Sequence, residues 1–313
     1  MGEENVGFIH LMKSLHEGRL TCAASALGEP IRCAINAATS REEEFALRPA
    51  SQTRSVLVVG GGPAGMEAAV TAAERRHRVI LAKEEDRLGG QLQVAAVLPY
   101  KERIRTFVEY QRHQLKRAGV EVKLGRKMTS TDVEELNPDI VVLATGAVPA
   151  KLDIPGADGG NVAKAVDVLS GQRDAGQKVV ILGGGLVGCE TAEFLAAKGR
   201  KVTVIEILVQ LAADMLPKGR EQKVDKLRLA GVGFHTRMKA EGITEKGVKA
   251  IRNGEPFFFE ADTVVLAVGM VAEDKLGPQL KEQGKKVYVI GDAAQPGKII
   301  DAVYDGARVG REI

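Results

Sequence analysis

Several residue types and patterns are scarce in this chain of 313 residues. Tryptophan is absent and aromatic residues make up only 4%, which argues against a surface that stacks nucleic-acid bases on aromatic rings. The net charge is +3, too small for the basic field of a typical nucleic-acid-binding protein. No apolar run approaches the ~18 residues of a membrane-spanning helix. We therefore expect neither nucleic acid nor a membrane as a partner.

Cysteine is also scarce. Cys22, Cys33 and Cys189 are too few for a disulfide framework, and the acidic start of the chain lacks the basic and apolar regions of a signal peptide. We expect a reducing, cytoplasmic compartment. The 5 histidines show no metal-ligand spacing, and we predict no metal site in the chain.

Glycine, by contrast, is abundant at 36 residues, and an internal repeat accounts for much of this excess. The segment Val56–Gly65 reappears as Val179–Gly188, displaced by 123 positions. The same displacement carries Val141–Gly146 onto Val264–Gly269. Two separate motifs with one displacement predict a duplicated domain.

Each copy of the first motif places G-x-G-x-x-G between an apolar strand and an alanine-rich helix. The first glycine allows a tight turn, the second lets a phosphate approach the backbone, and the third lets the helix pack on the strand. Amide groups at the start of the helix then face a diphosphate. The motifs predict two nucleotide sites, with Gly60, Gly62, Pro63, Ala64 and Gly65 in the first and Gly183, Gly185, Leu186, Val187 and Gly188 in the second.

A dinucleotide fold also needs an acidic residue at the end of its second strand, where it bonds the ribose hydroxyls. Glu206 stands there in the second copy, and its carboxylate would repel a 2′-phosphate, which favours NADH over NADPH. In the first copy the equivalent residue is Lys83. Either Lys83 is a tolerated surface change, with Glu84 or Glu85 substituting, or it weakens dinucleotide affinity or changes the nucleotide preference.

From about Cys22 to its C-terminus, the chain resembles the C-terminal half of the 2,4-dienoyl-CoA reductase, trimethylamine dehydrogenase and enoate reductase family, which are NADH:flavin oxidoreductases. The segment Gly60–Gly65 resembles the family's FAD fingerprint, and Gly183–Glu206 resembles its NAD(P)H module. Three further motifs match: Leu88–Leu92, Ala144–Gly146 and Val287–Asp292. The resemblance implies cofactor contacts from Gly90, Gln91, Ala144, Thr145, Gly146, Gly269, Gly291 and Asp292, the last bonding the ribityl chain of FAD.

A strand that ends in Gly291-Asp292 after the second nucleotide unit implies that the chain returns to complete its first domain. We therefore expect an α/β fold with two Rossmann-like FAD- and NAD(P)-binding domains, as in disulfide-reductase-like flavoproteins, with the NAD domain inserted in the FAD domain. The expected FAD-binding domain is residues 53–154 and 284–313. The expected NAD(P)H-binding domain is residues 155–283.

Residues 1–52 then form an N-terminal arm, a remnant of the family's iron–sulfur segment. The family's barrel domain needs upwards of ~200 residues and has no room in this chain. Cys22 and Cys33 match two of the four cysteines that hold the family's cluster, so a four-iron cluster is not expected in this chain alone. We interpret both as free thiols, with cluster sharing through a partner chain as the alternative. No C-x-x-C or C-x4-C pair exists, which excludes a flavin–disulfide relay.

The resemblance implies an FAD-dependent NADH oxidoreductase module. Hydride would pass from NADH to FAD, and electrons would pass onward to an acceptor protein, a missing barrel domain or a small molecule. The cofactors perform this chemistry, so we predict no catalytic side chain. Two alternatives stay open: a non-catalytic domain that binds ADP or serves interaction, and a fragment of a longer enoate-reductase-like enzyme.

Overall fold

The computed structural model describes residues 31–98 and 101–313; Cys22 and most of the expected arm lie outside the described residues. The chain divides into two compact units. Among the described residues, the first comprises 31–96, 102–148 and 271–313, and the second comprises 97–98, 101 and 149–270. No helix in the described ranges is both long and apolar enough to cross a membrane.

The first unit is built on a parallel sheet of five strands, because short apolar runs that are buried on both faces favour this arrangement. The strand order is β15-β4-β1-β2-β3. The strands are β1 (Ser55–Val59), β2 (Arg78–Ala82), β3 (Glu121–Lys123), β4 (Ile140–Leu143) and β15 (Val287–Val289). The helices are α1 (Pro63–Glu74), α2 (Leu92–Ala95), α3 (Arg103–Arg117), α4 (Ser130–Leu136), α8 (Gly277–Glu282) and α9 (Ile299–Glu312).

The second unit repeats this plan and adds a small antiparallel sheet. Its parallel sheet has the order β6-β13-β7-β8-β9, and its antiparallel sheet has the order β10-β11-β12. The parallel strands are β6 (Val162–Lys164), β7 (Lys178–Leu182), β8 (Lys201–Ile205), β9 (Gly233–His235) and β13 (Thr263–Leu266). The antiparallel strands are β10 (Lys239–Thr244), β11 (Gly247–Arg252) and β12 (Glu255–Glu260). The helices are α5 (Ala165–Leu169), α6 (Leu186–Ala197) and α7 (Pro217–Leu229), and the short strands β5 (Ala147–Pro149) and β14 (Met270–Ala272) pair with each other.

The predicted duplication is confirmed element by element. Strands β1, β2 and β4 and helix α1 correspond to β7, β8, β13 and α6, each displaced by the same 123 positions as the motifs. The strands β3 and β9, which lie next to β2 and β8 at the sheet edges, do not follow this displacement, since β3 begins at Glu121 and β9 at Gly233. The repeat therefore covers the strands and helix that surround each glycine loop.

The second unit ends at an earlier residue than the NAD(P)H-binding domain that the sequence predicts. We expected the NAD(P)H-binding domain to extend from residue 155 to residue 283, whereas the second unit begins at Pro149 and ends at Met270. Residues 271–283 belong to the first unit because Leu276 and Leu280 of the α8 region pack in the same apolar cluster as Leu57 and Leu143. The six-residue helix α8 is too short for its apolar pattern to stand out in the sequence.

The described part of the expected N-terminal arm packs on the first unit. Cys33 is buried in an apolar cluster with Phe107 and Val108 of α3. The guanidinium groups of Arg32 and Arg41 lie 5.6 and 5.2 Å from the centre of the Tyr304 ring on α9. These cation–π contacts and the apolar cluster attach residues 31–52 to the first unit.

Helices α1 and α9 approach each other closely at two glycines of α9. A Cβ atom on Gly306 would lie 2.3 Å from the carbonyl oxygen of Ala64, and one on Gly310 would lie 2.6 Å from Cβ of Thr71. Only glycine permits these distances. The close approach holds the C-terminal helix along the helix that follows the first glycine loop.

The side chain of Glu67 on α1 points into the packing between α1, α3 and α9. Burial raises the pKa of this carboxyl from 4.5 to about 7, although the Gln111 side chain and Arg311 both act to lower it. The folded protein therefore binds more protons than the unfolded chain between these two pH values. The contribution of Glu67 to the free energy of unfolding therefore falls as the pH rises through this window.

We expect the protein to lose about 1–3 kcal/mol of stability between pH 5 and pH 8 through Glu67. Glu67→Gln is expected to remove most of this loss, because the amide carries no charge at either pH. Urea unfolding followed by circular dichroism at the two pH values measures it. Glu109→Gln, at an exposed position of α3, serves as the control and should keep the pH dependence of the wild type. An unchanged pH dependence in Glu67→Gln would contradict the prediction.

Candidate functional site: two glycine loops

The first glycine loop joins β1 to α1 in a turn that requires glycine at two positions. Gly60 has a φ of +117°, and a Cβ atom there would lie 2.1 Å from the carbonyl oxygen of Ala144. A Cβ atom on Gly65 would lie 2.0 Å from the carbonyl oxygen of Gly60. The loop, the end of β4 and the first turn of α1 are therefore in direct backbone contact.

Gly62 is different, because it faces open space. Its φ of −78° suits any residue, and a Cβ atom there would have no described atom within 4 Å. Helix α1 begins directly after it at Pro63. The amide groups at a helix start lack partners within the helix and attract anions. The open space at Gly62 therefore leaves the start of α1 accessible to an anion such as a diphosphate.

Two further predicted residues of the first unit, Gly90 and Gly291, lie next to this loop and helix start. A Cβ atom on Gly90 would lie 3.2 Å from Cα of Gly62, and one on Gly291 would lie 2.8 Å from Cβ of Ala64. The structure thus brings together the glycine loop, the Leu88–Leu92 segment and the closing Gly-Asp motif. Gln91 donates from Nε2 to the carbonyl oxygen of Ala147 at 3.3 Å.

Thr145 and Asp292, which are also predicted contact residues of the first unit, have hydrogen-bond partners within the protein. The Thr145 hydroxyl donates to the carbonyl oxygen of Glu273 at 2.7 Å. Asp292 accepts a hydrogen bond from the Gly297 amide at 3.0 Å, and burial raises the pKa of its carboxyl. Gly146, which follows Thr145 in the chain, has a φ of +91°, a backbone conformation that favours glycine.

The second glycine loop repeats the geometry of the first. Gly183 has a φ of +103°, and its Cβ atom would lie 2.4 Å from the carbonyl oxygen of Ala267. A Cβ atom on Gly188 would lie 1.9 Å from the carbonyl oxygen of Gly183. Gly185 faces open space in the same way as Gly62. Gly269, with a φ of +103°, follows β13 as Gly146 follows β4.

Glu206 is buried beside this loop, at the end of β8. Its carboxylate accepts one hydrogen bond from the Gly184 amide at 2.5 Å and another from the Leu208 amide at 2.7 Å. The next three residues are apolar and largely exposed: Ile207, Leu208 and Val209. The backbone amides therefore hold the carboxylate in place at the position where a dinucleotide fold binds ribose.

Lys83 occupies the matching position in the first unit. A Cβ atom on Gly61 would lie 3.3 Å from Cγ and Cδ of Lys83, so the stem of this side chain runs beside the loop. Its ammonium group forms a salt bridge with Glu85. Glu84 pairs instead with Lys127 at 3.2 Å, where both side chains are exposed.

Sequence reasoning missed Asp214. Its carboxylate oxygens accept hydrogen bonds from the Leu186 amide at 3.1 and 3.3 Å, at the first residue of α6. The structure extends the 123-residue repeat to this position, because Leu211 packs on Gly184 as Leu88 packs on Gly61. Asp214 is thus the counterpart of Gln91. The unnoticed signal was the match of Leu211–Asp214 to Leu88–Gln91 at the same displacement.

The two cysteines of the described residues do not form a redox pair. Cys33 belongs to the first unit and Cys189 to the second, and both are buried. Burial raises the pKa of the Cys189 thiol to about 11, so it is protonated at neutral pH and a poor nucleophile. Within the described ranges, no group of three or more His, Cys, Asp or Glu side chains is placed to hold a metal ion.

The two openings predict that each site can be blocked separately. Gly62→Asp and Gly185→Asp each place a carboxylate in one opening, where it repels a diphosphate, while aspartate remains a favourable residue at a helix start. We expect each variant to fold and to bind the nucleotide of its own site about a hundredfold more weakly. Equilibrium titration with FAD and with NADH measures this. Each variant is the control for the other, and loss of both nucleotides in either variant would contradict two independent sites.

Comparison with known proteins identifies relatives over most of the chain. The model of the pyridine nucleotide-disulphide oxidoreductase family matches residues 54–306. An NADH oxidase of Thermoanaerobacter brockii is 42% identical over 290 residues, which cover 90% of this chain and 44% of the relative. A cinnamate reductase of Clostridium sporogenes is 34% identical, and the match covers 94% of this chain and 45% of the relative. The chain therefore spans less than half the length of these curated relatives.

Solved structures agree with this result. A 2-naphthoyl-CoA reductase superposes with a TM-score of 0.87 at 32% identity, over 90% of this chain and 44% of that chain. A thioredoxin reductase of Lactococcus lactis, at 21% identity and a TM-score of 0.64, shares the fold over 83% of this chain and 97% of its own. The predicted flavoprotein fold and the resemblance to the FAD/NAD half of the enoate reductase and trimethylamine dehydrogenase family are confirmed. These relatives support FAD and NAD(H) as cofactors, and the two openings fit them.

Proposed function

Because the chain belongs to the pyridine nucleotide-disulphide oxidoreductase family, we propose that it is an FAD-dependent NADH oxidoreductase module. Electrons pass from NADH to FAD and then to an acceptor, which is a partner protein, a barrel domain of a longer enzyme or a small molecule. The observation that carries this proposal is the pair of equivalent openings at Gly62 and Gly185, each in front of a helix start. One opening serves each dinucleotide.

In the first unit, the residues around the opening hold FAD. The start of α1 binds the diphosphate through its backbone amides, and the glycines at positions 60, 62, 65 and 90 allow it to approach. Asp292, at the end of the closing motif, accepts hydrogen bonds from the ribityl hydroxyls. Contacts from Pro63, Ala64, Gln91, Ala144, Thr145, Gly146 and Gly291 complete the site.

In the second unit, the start of α6 and Glu206 hold NADH. The amides of Leu186 and Val187 face the diphosphate, so the Asp214 carboxylate, which accepts from the Leu186 amide, must share this donor or move when NADH binds. The two backbone donors do not use all the lone pairs of the Glu206 carboxylate. Its remaining lone pairs accept hydrogen bonds from the ribose hydroxyls. Contacts from Gly183, Gly185, Gly188 and Gly269 complete the site.

The chemistry comes from the cofactors: FAD, when bound, supplies the ring that accepts hydride from the nicotinamide. The protein residues position both groups and supply no acid or base for this step. The chain spans less than half of the length of its curated relatives. Their greater length favours a further domain as the place where electrons leave the flavin.

A non-catalytic ADP-binding domain is the second candidate, and one observation favours it. Lys83 stands where the first site needs a ribose-binding carboxylate, and its ammonium group is paired with Glu85. ADP and FAD share the adenosine diphosphate moiety, so the glycine loop accepts either. The two candidates differ in whether a flavin is bound.

The proposed function predicts that NADH reduces flavin bound to the protein. Purified protein supplied with FAD is expected to bind it, and the visible flavin absorbance is expected to bleach when NADH is added without oxygen. NADPH should act more slowly. Protein that retains ADP, stays colourless with FAD, or holds a flavin that NADH leaves oxidised would contradict the proposal.

The charge of Glu206 predicts that the second site prefers NADH to NADPH. In Glu206→Gln, the charge that repels a 2′-phosphate is gone and the ribose hydrogen bonds are weaker, so we expect about tenfold weaker NADH binding and a smaller discrimination against NADPH. Titrations that follow nucleotide fluorescence measure both dissociation constants. Glu221→Gln, at an exposed position of α7, is the matched control and should leave both unchanged. An unaltered ratio of the two constants in Glu206→Gln would refute the role of its charge.

A further inference from the structure

The two glycine loops are alike in backbone, and the residue that follows the second strand of each sheet differs in charge between them. Lys83 and Glu206 each follow the second strand of their sheet, 123 positions apart. Each side chain packs beside the middle glycine of its loop: a Cβ on Gly61 would lie 3.3 Å from Cδ of Lys83, and a Cβ on Gly184 would lie 3.0 Å from Cβ of Glu206. The two residues therefore occupy equivalent places and carry opposite charges.

The Glu206 carboxylate accepts hydrogen bonds, which the Lys83 ammonium group cannot do. It accepts hydrogen bonds from the Gly184 and Leu208 amides and is only 6% exposed. An ammonium group has three donors and no acceptor. It cannot accept a hydrogen bond from the Gly61 amide, and it cannot accept from the ribose hydroxyls of a nucleotide.

The nearby carboxylates do not take over this position. Glu85 forms the salt bridge with Lys83, and its side chain is 61% exposed, against 14% for Lys83. Glu84 is 60% exposed and pairs with Lys127. The buried place next to the loop thus contains the stem of a lysine, and the acidic groups lie further out.

We propose that Lys83, held in a salt bridge with Glu85, leaves the first site without a hydrogen-bond acceptor for the adenosine ribose, so that FAD binds weakly and exchanges with solution. This inference rests on the proposed function, since it takes FAD as the ligand of the first unit. The loop and the helix start bind the diphosphate as in the second unit. Only the hydrogen bonds to the ribose are missing.

The direct test exchanges the two charges. The double variant Lys83→Glu, Glu85→Lys keeps the composition and the net charge and places a carboxylate beside the Gly61 amide. We expect its dissociation constant for FAD to fall about ten- to a hundredfold, because hydrogen bonds to a charged group contribute more than neutral ones. Flavin fluorescence titration of apoprotein measures the constant. An unchanged or larger constant would overturn the proposal.

Two single variants separate the roles of the pair. Lys83→Met keeps a stem beside Gly61 without a charge or an acceptor, and Glu85→Gln breaks the salt bridge without placing an acceptor there. Both are expected to bind FAD within about threefold of the wild type. A tenfold loss of FAD affinity in Glu85→Gln would also overturn the proposal, because Glu85 would then be the ribose ligand. Thermal unfolding shows that each variant is folded, and Lys83→Glu alone replaces the double variant if that one is unstable.

A second probe locates the gain at the ribose and needs no flavin. The double variant should bind ADP more tightly than the wild type by about the same factor as FAD, and much of this gain should disappear with 2′-deoxy-ADP. A gain for ADP that is equal for 2′-deoxy-ADP would contradict a ribose effect. The proposed function fails separately, if NADH does not reduce the flavin of wild-type protein at saturating FAD, whatever the ratio of these constants.

Discussion

The rest of the structure depends on the contact between the glycine loop and the strand ends of each sheet. At Gly60 and at Gly183, the backbone turns so close to the end of a neighbouring strand that a Cβ atom would overlap a carbonyl oxygen. The turn directs the following helix back along the sheet, and the third glycine lets that helix lie on the strand. The open helix start, where an anion can bind, is a consequence of this packing.

The two units share one backbone arrangement at the glycine loop but differ in the charged side chains beside it. The second loop has a buried carboxylate held by two backbone amides and a further carboxylate, Asp214, at its helix start. The first loop has a lysine and a neutral glutamine at the equivalent places. The glycines determine only the backbone that a diphosphate can approach, and we propose that these side chains decide how firmly each nucleotide is held and which nucleotide is preferred.

Local patterns predicted most of what surrounds the two loops. Apolar runs of four or five residues before glycine-rich turns indicated β1, β4, β7 and β13, since strands buried on both faces have few polar residues. The border of the second unit near residue 271 has no local motif, because α8 belongs to the first unit through the packing of Leu276 and Leu280. Asp214 was missed because its segment shares one leucine, not a glycine motif, with its counterpart.

The sequence by itself determined the two glycine loops, their duplication and the charge difference between Lys83 and Glu206, because backbone turns and residue types are local properties. Only the tertiary structure decided which groups these side chains meet: Glu206 with two amides, Lys83 with Glu85, and Asp214 with the start of α6. Some of these partners are distant in the chain, as the Leu186 amide is from Asp214. Others are close in the chain and are brought together by a turn of the backbone, as Glu85 is with Lys83. Their distances follow from the packing of strands, loops and helices, which no single segment specifies.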